Sequence, residues 1–338
     1  MNKVLISLSD KKSNDAGPKA KRDIEKFLLE DGFKLWKLNF KLETGMISKF
    51  QKLFVKFSVI PRYLRKNKDI DAFFIQYPLY STYLTESLIE QIRNKTNTKL
   101  YFIIHDIESL RLFVNDDSYK KSEIEMFNKT DGLVVHNDKM KTWLLNQGVK
   151  VPMESLEIFD YDNPEPLVNN SGYEGSVCFA GNLAKAEFLD KLQINHLLKV
   201  FGPNNKNVYP KNIEYGGQYT PEQLPRELKQ NFGLVWDGDT ITSCTGVFGE
   251  YMKYNNPHKV SLYLSSGLPV IIWKKAALAE FIESNNLGIA IDSLNDVDEI
   301  LNKLSLEEYR QKKENAMKMA AKLRSGFYIK KAVSKVIN

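Results

Sequence analysis

Short apolar runs rich in β-branched and aromatic residues alternate along the chain with segments whose apolar positions recur every three or four residues. The runs predict buried strands and the periodic segments predict amphipathic helices, an alternation typical of a parallel sheet with crossover helices. In the first half, we predict strands at 3–9, 33–38, 72–76, 99–105 and 132–136. The helices predicted in this half span 18–29, 85–94, 122–128 and 139–146. This half therefore reads as one doubly wound α/β domain.

The alternation stops at 159–175, where Pro, Asn, Asp and Gly gather as in a loop or linker. Beyond it, we predict strands at 176–180, 197–201, 232–236, 270–273 and 289–291. Helices are predicted there at 185–192, 221–229, 258–265, 277–284 and 296–304. The predicted organisation is a first domain over 1–158, a linker over 159–175, a second Rossmann-like domain over 176–306, and C-terminal helices over 307–338 that pack back on the first domain.

Two similar α/β domains that face each other would bring the carboxyl ends of both sheets to a central cleft, where ligands of such sheets bind. The length of 338 residues suits two domains of this size. Two cysteines, Cys178 and Cys244, cannot build a disulfide framework, so we expect a reducing, cytoplasmic location. The net charge of +6 suits anionic partners such as phosphates or a lipid surface and does not require nucleic acid.

The segment NNPHKVSLYLSSG, which begins at Asn255, predicts a helix whose start can bind an anion. Asn256 can cap this helix, Pro257 fits its first position, and the exposed N–H groups there favour a phosphate. Lys259 adds a full charge at the end of the helix where a cation opposes the dipole, so either a bound pyrophosphate or simple solvation must account for it. His258 would hydrogen-bond a phosphate or orient the turn.

Two further strand ends carry candidate residues of the same kind. In FAGNLAK, Gly181 allows close approach of a ligand to the backbone, Asn182 can cap, and Lys185 can reach a phosphate; an ordinary strand-to-helix turn is the alternative. In VWDGD, we interpret Asp237 and Asp239 as turn formers or acceptors of sugar hydroxyls rather than metal ligands. The following loop, 240–255, is expected to be a mobile cover over the cleft.

Candidates for a general base lie in the first half of the chain. Asp15 follows the first predicted strand, and His105 and Asp106 follow the fourth. Carboxylates and imidazoles at strand ends can deprotonate a sugar hydroxyl, although each of these residues can equally serve as a cap. Because the four histidines are scattered with no metal-ligand spacing, we expect no metal site.

Residues 46–68 contain seven basic residues and no acidic one. In a helix, Lys49, Lys52 and Lys56 fall on one face and the phenylalanines on another, which suits peripheral contact with an anionic bilayer. The alternative is a surface helix whose aromatic stripe is packed into the core. No apolar run approaches the roughly 18 to 20 residues needed to cross a membrane, and the N-terminal run is too short for a signal peptide.

With these residues assembled, the chain resembles the bacterial β-1,6-galactofuranosyltransferases of O-antigen and capsule assembly. The resemblance covers nearly the whole length and is densest in FGLVWDGD, from Phe232, and in GVFGEYMKYNNPHKVSLYLSSGLPVIIWKKAALAEFI, from Gly246. The earlier segments that carry it are SNDAGPKAKRD, IIHDIESLR, VVHND, EIFDY and FAGNLAK. More distantly, the chain is similar to the glucosyltransferases that extend glycans on serine-rich-repeat adhesins.

This resemblance implies a GT-B architecture of two facing Rossmann-like domains, with UDP-sugar held by the second domain and the acceptor by the first. It also implies roles for three residues: Lys185 stands where the adhesin enzymes have a phosphate-binding Arg, Tyr219 matches their donor-binding Tyr, and Lys259 matches their phosphate-binding Lys. Such enzymes stabilise departing UDP with cations and helix N–H groups, so neither a metal nor another cofactor is expected.

We therefore expect transfer of galactofuranose from UDP-galactofuranose with inversion, with Asp15 as first choice for the base and Asp106 or His105 as alternatives. The rival hypotheses are a UDP-glucose-dependent glucosyltransferase, a sugar-nucleotide epimerase and a non-catalytic scaffold that binds UDP-sugar. The acceptor, lipid-linked or otherwise, a homo-oligomeric state and attachment to the inner face of the membrane through 46–68 stay open.

Overall fold

A computed structural model describes residues 1–8, 16–42, 45–167 and 172–338. Contacts between residues divide the chain into two compact units. The first unit, called the first domain below, comprises Met1–Leu156 and Ile329–Asn338, and the second domain is Glu157–Tyr328. The terminal segment from Ile329 thus belongs with the first domain by its contacts.

The first domain is a parallel sheet of six strands with helices along the chain between them. The strands are β1 (Lys3–Leu8), β2 (Lys34–Leu38), β3 (Ala72–Tyr77), β4 (Lys99–Ile104), β5 (Gly132–Val135) and β6 (Met153–Ser155), in the order β2-β1-β3-β4-β5-β6. The helices are α1 (Ala16–Glu30), α2 (Met46–Phe54), α3 (Ile60–Lys66), α4 (Thr82–Lys95), α5 (Glu108–Arg111), α6 (Asp117–Phe127) and α7 (Asp138–Asn146), with a π-helical turn, Val55–Val59, joining α2 to α3.

Local sequence explains where several of these elements begin. Every residue of β3, AFFIQY, is buried, as expected of a central parallel strand covered on both faces. The side chains of Ser81, Asp116 and Asn137 cap α4, α6 and α7 by accepting hydrogen bonds from backbone N–H groups of the first turn.

The second domain repeats this architecture with another six-stranded parallel sheet. Its strands are β7 (Val177–Ala180), β8 (Leu198–Phe201), β9 (Ile213–Gly217), β10 (Phe232–Val235), β11 (Val270–Trp273) and β12 (Gly288–Ile291), in the order β12-β11-β10-β7-β8-β9. Its helices are α8 (Gly246–Tyr251), α9 (His258–Ser265), α10 (Ala279–Ser284), α11 (Val297–Lys303) and α12 (Leu306–Arg324), and α13 (Phe327–Ile337) ends the chain. The predicted fold class, two Rossmann-like α/β domains, is confirmed.

Two predicted helices of the second domain are wrong. Residues 185–192 form 3-10 turns, Leu183–Lys185 and Glu187–Asp190, and residues 221–229 contain the 3-10 turn Leu224–Glu227. Phe188, Leu189 and Leu192, whose spacing suggested a helix, are fully buried even so. A tight turn can bury the same apolar residues as a helix, so spacing alone did not separate the two.

In its described parts, 159–167 and 172–175, the predicted linker is packed against other residues of the second domain. Phe159 O accepts a hydrogen bond of 2.6 Å from Ser261 Oγ on α9, and Asn163 Nδ2 donates to Ser265 Oγ at 3.3 Å. Asp160 Oδ1 accepts from the backbone N–H of Tyr328 at 3.2 Å. The first two bonds fix one side of α9, the helix that carries Lys259, and the third holds the segment to the start of α13.

Candidate active site

The sheet of the second domain has a topological switch point between β7 and β10. The chain runs from β7 outwards to β8 and β9 on one side and then crosses over to β10, β11 and β12 on the other. Residues that follow β7 and β10 therefore meet at one edge of the sheet, and ligands of open α/β sheets bind at such points. Gly181 follows β7 and Asp237 follows β10 by two positions.

Lys259 lies at this switch point and joins the two strand ends. Its Nζ donates to Asp237 Oδ1 at 3.1 Å and to the carbonyl oxygen of Trp236 at 3.3 Å. The ammonium also sits 4.6 Å from the centre of the Phe179 ring, within the range of a cation–π contact. Lys259 is thus the cation that the structure places among Gly181, Asp237 and the first turn of α9.

Tyr263 fixes the position of Lys259 from one helical turn further along α9. The Tyr263 hydroxyl accepts a hydrogen bond of 2.7 Å from the backbone N–H of Ala180, the last residue of β7. Its ring covers Gly233 on β10, where an added Cβ would lie 2.2 Å from ring carbon Cγ. Burial raises the pKa of Tyr263 well above its ordinary value, so the hydroxyl keeps its proton. Side chains four residues apart share a helix face, so this anchor aims Lys259 at the sheet edge.

The turn after β7 is held tightly by the end of β8. Gly202 has a φ of +141°, and a Cβ there would lie 1.8 Å from the carbonyl oxygen of Gly181. At Gly181, by contrast, an added Cβ would meet Lys259 Cε at 3.5 Å and Nζ at 3.7 Å, which is ordinary contact. The lack of a side chain at Gly181 therefore leaves one approach to the Lys259 ammonium open.

The remaining candidates of the FAGNLAK segment are placed around this turn. Asn182 Oδ1 accepts from Ala184 N at 3.1 Å and from Asn204 Nδ2 at 2.9 Å, so Asn182 caps a 3-10 turn. Lys185 Nζ lies 4.3 Å from the centre of the Phe248 ring on α8. This cation–π contact holds Lys185 against α8, whereas Lys259 is held by β7 and by the residues that follow β10.

Tyr219 follows β9 at the edge of the same sheet and is partly exposed. Its ring centre lies 6.3 Å from that of Phe201 on β8, and its hydroxyl would be 3.1 Å from a Cβ placed on Gly217. Tyr219 therefore rests against the carboxyl ends of β8 and β9.

The predicted cap of α9 is wrong. Pro257 is the capping residue, with no side-chain hydrogen bond to the helix, and Asn256 Nδ2 instead donates to the carbonyl oxygen of Glu157 at 3.1 Å. Asn256 thus anchors the loop to the neighbouring segment, whereas Asn255 Oδ1 is buried and finds no hydrogen-bond donor among the described residues. The His258 ring lies tilted against Tyr161, with ring centres 4.9 Å apart, and edge-on to Phe159 at 5.9 Å.

The loop after β10, predicted as a mobile cover, is tied down by internal contacts. Trp236 Nε1 donates to Thr240 O at 2.9 Å, and an added Cβ on Gly249 would lie 2.6 Å from the carbonyl carbon of Cys244. Thr245 donates to the carboxylate of Asp239, which lowers the pKa of Asp239. Asp239 is therefore engaged in closing this loop.

In the first domain, His105 and Asp106 lie just after β4, and both are held by neighbours. A ring nitrogen of His105, Nε2, lies 2.8 Å from Gln76 Oε1. Arg111 pairs with Asp106 at 3.2 Å and with Glu108 at 2.7 Å, and these carboxylates raise the pKa of Arg111 although burial acts against them. Asp15 lies outside the described residues.

A cavity of about 250 Å³ opens near the ends of β3 and β4 in this domain. Its lining is rich in aromatic side chains and includes Tyr77, Tyr80, Phe113 and Tyr119, with Glu108 among its polar residues. Tyr77 Oη donates to Glu123 Oε1 at 2.6 Å, and Glu123 also accepts from the backbone N–H groups of α5. Aromatic walls with a few fixed polar groups suit a small polar ligand such as a sugar.

The described residues contain neither a cluster of metal-ligating side chains nor a helix able to cross a membrane. No group of three or more His, Cys, Asp or Glu side chains is arranged to hold a metal ion in 1–8, 16–42, 45–167 and 172–338. Among the helices of those same ranges, none combines the length and the apolar character that crossing a bilayer requires.

Family models match both halves of the chain. The model described as glucosyltransferase 3-like, N-terminal domain, matches residues 2–158, and the model described as glucosyltransferase 3-like, C-terminal domain, matches residues 177–336.

Curated relatives agree with these models. The chain is 36% identical over 243 residues to the β-1,6-galactofuranosyltransferase WbbI of Escherichia coli K12, a match that covers 70% of each chain. It is 28% identical over 239 residues, again 70% of each chain, to glucosyltransferase 3 of Streptococcus gordonii. The resemblance drawn from the sequence motifs is therefore confirmed.

Solved structures share the fold at low identity. Sucrose-phosphate synthase of Thermosynechococcus elongatus matches with a TM-score of 0.60 and 10% identity, covering 99% of this chain and 97% of that one. An α-glucosyltransferase in complex with UDP matches with a TM-score of 0.57 and 13% identity, covering 99% of this chain and 100% of the other. The fold is that of the GT-B glycosyltransferases.

Proposed function

This chain belongs to the glucosyltransferase 3-like family of glycosyltransferases, and we propose that it transfers galactofuranose from UDP-galactofuranose to a hydroxyl group of a glycosyl acceptor. The proposed product is a β-1,6 linkage in a surface polysaccharide or glycoconjugate. The choice of sugar rests on the 36% identity to a β-1,6-galactofuranosyltransferase, compared with 28% to a glucosyltransferase.

The observation that carries the proposal is Lys259 at the switch point of the second domain. Its ammonium is held by Asp237 and Trp236 O and lies beside the N-terminus of α9 and the open approach at Gly181. A diphosphate docked there would interact with a full positive charge, with backbone N–H groups and with the positive end of a helix. Asp237 would then balance the Lys259 charge in the absence of the donor.

Lys185 and Tyr219 are proposed to complete the donor site. Lys185 would add a second positive charge, and Tyr219 would pack against the UDP portion, with Asn182 and Asn255–His258 shaping the surrounding turns. Protein cations and helix N–H groups would take up the charge of the departing UDP, and we propose that neither a metal ion nor another cofactor is needed.

The proposed reaction inverts the configuration at C1 of the donor sugar if the donor is α-linked. A base takes the proton of the acceptor hydroxyl as its oxygen attacks C1, the bond from C1 to the diphosphate oxygen breaks, and UDP leaves with the electron pair. Asp15 is the first choice for the base, with Asp106 and His105 as alternatives. The aromatic cavity near β3 and β4 is proposed to receive the acceptor in the first domain.

A donor screen tests the choice of sugar. The protein is incubated with UDP-galactofuranose, UDP-glucose and other UDP-sugars and with simple glycoside acceptors, while UDP release and product mass are measured. The proposal requires UDP release and an added hexose with UDP-galactofuranose above all others. Preference for UDP-glucose would establish the glucosyltransferase rival instead.

Exchanging Lys259 tests the phosphate site. Lys259→Ala is expected to lower kcat by about 100-fold, because a full charge opposite the leaving diphosphate is lost. Lys274→Ala is the matched control, since Lys274 also follows a strand of this sheet but is an exposed surface residue that forms an ion pair with Asp292 at 3.4 Å. Near-normal turnover of Lys259→Ala would refute the assignment.

The other rivals give distinct results in the same assays. A sugar-nucleotide epimerase consumes UDP-sugar without releasing UDP in the presence of an acceptor. A non-catalytic scaffold binds UDP saturably and turns over no donor and acceptor pair.

A further inference from the structure

The helix α2 and the turn that follows it present an unusual apolar stripe to solvent. The stripe consists of six large side chains at helical spacing: Met46, Ile47, Phe50, Leu53, Phe54 and Phe57. All six are exposed, by 41% to 78% of their surface. Large apolar side chains are usually buried, and contiguous exposed patches of them mark interaction sites.

The exposure follows from how the segment is attached to its domain. Its opposite face is the buried one: Ser48 Oγ donates to Lys41 O at 2.7 Å, and Val55 is 3% exposed. Gln91 Nε2 on α4 donates to Lys56 O at 2.9 Å and holds the turn from behind. The interpretation of a core-packed aromatic stripe is therefore wrong for these residues, because the helix packs through its small face.

The positive charge around the stripe indicates which kind of partner the stripe contacts. The segment 46–68 carries seven basic residues and no acidic one, and Lys49, Lys52 and Lys56 border the stripe on its helix. An apolar face flanked by cations fits the boundary between phosphate headgroups and acyl chains, where rings insert and ammonium groups meet phosphates. A second copy of this chain fits poorly, because a two-fold contact would bring the same cations face to face.

We propose that this segment docks the protein on a bilayer of anionic phospholipid, with the apolar stripe inserted at the interface and the lysines on the headgroups. The proposal is independent of the donor and of the chemistry of transfer. It places the protein at a membrane surface, where lipid-linked acceptors are found.

Vesicle co-sedimentation tests this surface. The full chain is mixed with vesicles of phosphatidylcholine alone and with vesicles in which about a third of the lipid is phosphatidylglycerol. Binding is expected only to the anionic vesicles. Replacing both Phe50 and Phe54 with Ser is expected to lower the partition coefficient by roughly 10-fold to 100-fold. Lys49→Gln, Lys52→Gln and Lys56→Gln together are expected to lower it by roughly 100-fold, at about fivefold for each charge near an anionic surface.

Matched controls separate binding through this surface from nonspecific binding through other exposed apolar or basic side chains. Leu145→Ser with Val208→Ser removes two other exposed apolar side chains, and the triple change of Lys139, Lys211 and Lys275 to Gln removes the same charge from exposed sites elsewhere. Both controls should bind as the unaltered protein does, and circular dichroism should show all variants folded. The proposal would be overturned if the protein bound neutral vesicles equally well, or bound no vesicles at all. Normal vesicle binding by folded stripe variants would also overturn it. So would a stripe variant whose only effect, in sedimentation velocity, is to dissociate a protein oligomer.

Discussion

Tyr263→Phe isolates the hydrogen bond that ties α9 to β7. The change deletes the hydroxyl that accepts from Ala180 N at 2.7 Å and leaves the ring on Gly233 in place. Both residues are buried, so the N–H of Ala180 would lose its partner without access to water. Leaving a buried donor unsatisfied costs about 1–3 kcal/mol, and we expect the free energy of unfolding to fall by that amount.

Equilibrium urea unfolding, followed by tryptophan fluorescence, measures this loss. Tyr83→Phe is the control, because Tyr83 is an exposed residue and its change should stay within about 0.5 kcal/mol. The ring of Tyr263 still packs on Gly233, so Lys259 should keep its position and UDP affinity should change by no more than about twofold. If Tyr263→Phe unfolds at the same urea concentration as the unaltered protein, this hydrogen bond does not hold the helix and the reasoning is refuted.

Three further changes test the packing around the sites. Gly202→Ala should give little folded protein in soluble expression and a strongly lowered melting temperature, because its Cβ would collide with Gly181 O at a positive φ; a stable variant would contradict this. Gly233→Ala should also unfold at lower temperature, since its Cβ would meet the Tyr263 ring; an unchanged melting temperature would contradict that packing. Burial lowers the pKa of His136 to about 4, so its contribution to stability is complete above its unfolded pKa near 6.5 and is lost as the pH falls towards 4. Unfolding measured across this range should show a steeper loss than in His136→Gln, and identical slopes would refute the assignment.

The sequence was sufficient to predict the strands at the centre of each sheet. The runs of β3, β4, β10 and β11 are short, continuous and rich in β-branched and aromatic residues, which favours strands buried on both faces and predicts their positions. The edge strands β6 and β9 were missed, because one has only three residues and the other, IEYGG, ends in two glycines. Edge strands carry a weaker apolar signal than central ones.

The donor-side candidates could be predicted only as separate strand ends. Gly181, Asp237 and Lys259 each follow or begin an element, but their meeting depends on β7 and β10 being neighbours, which the order of strands in the chain does not give. The sequence shows that Tyr263 lies four residues after Lys259, but its role also depends on β7 and β10 being neighbours. The prediction that Asn256 caps α9 is wrong because its side-chain amide donates instead to the carbonyl oxygen of Glu157, which is distant in the sequence.

The amphipathic segment 46–68 shows why the spacing of apolar residues could not predict whether its apolar stripe is buried or exposed. An amphipathic stripe has the same spacing whether it faces the core or solvent. The deciding residues are the small ones on the opposite face, Ser48 and Val55, which the structure buries in place of the phenylalanines.

The central claim is that a diphosphate binds at Lys259, and a crystal structure of the protein with UDP tests it most directly. The account predicts the diphosphate at the carboxyl ends of β7 and β10, with a phosphate oxygen within hydrogen-bond distance of Lys259 Nζ and of the first N–H groups of α9. A UDP molecule bound with its diphosphate away from Lys259 and the start of α9 would contradict the account.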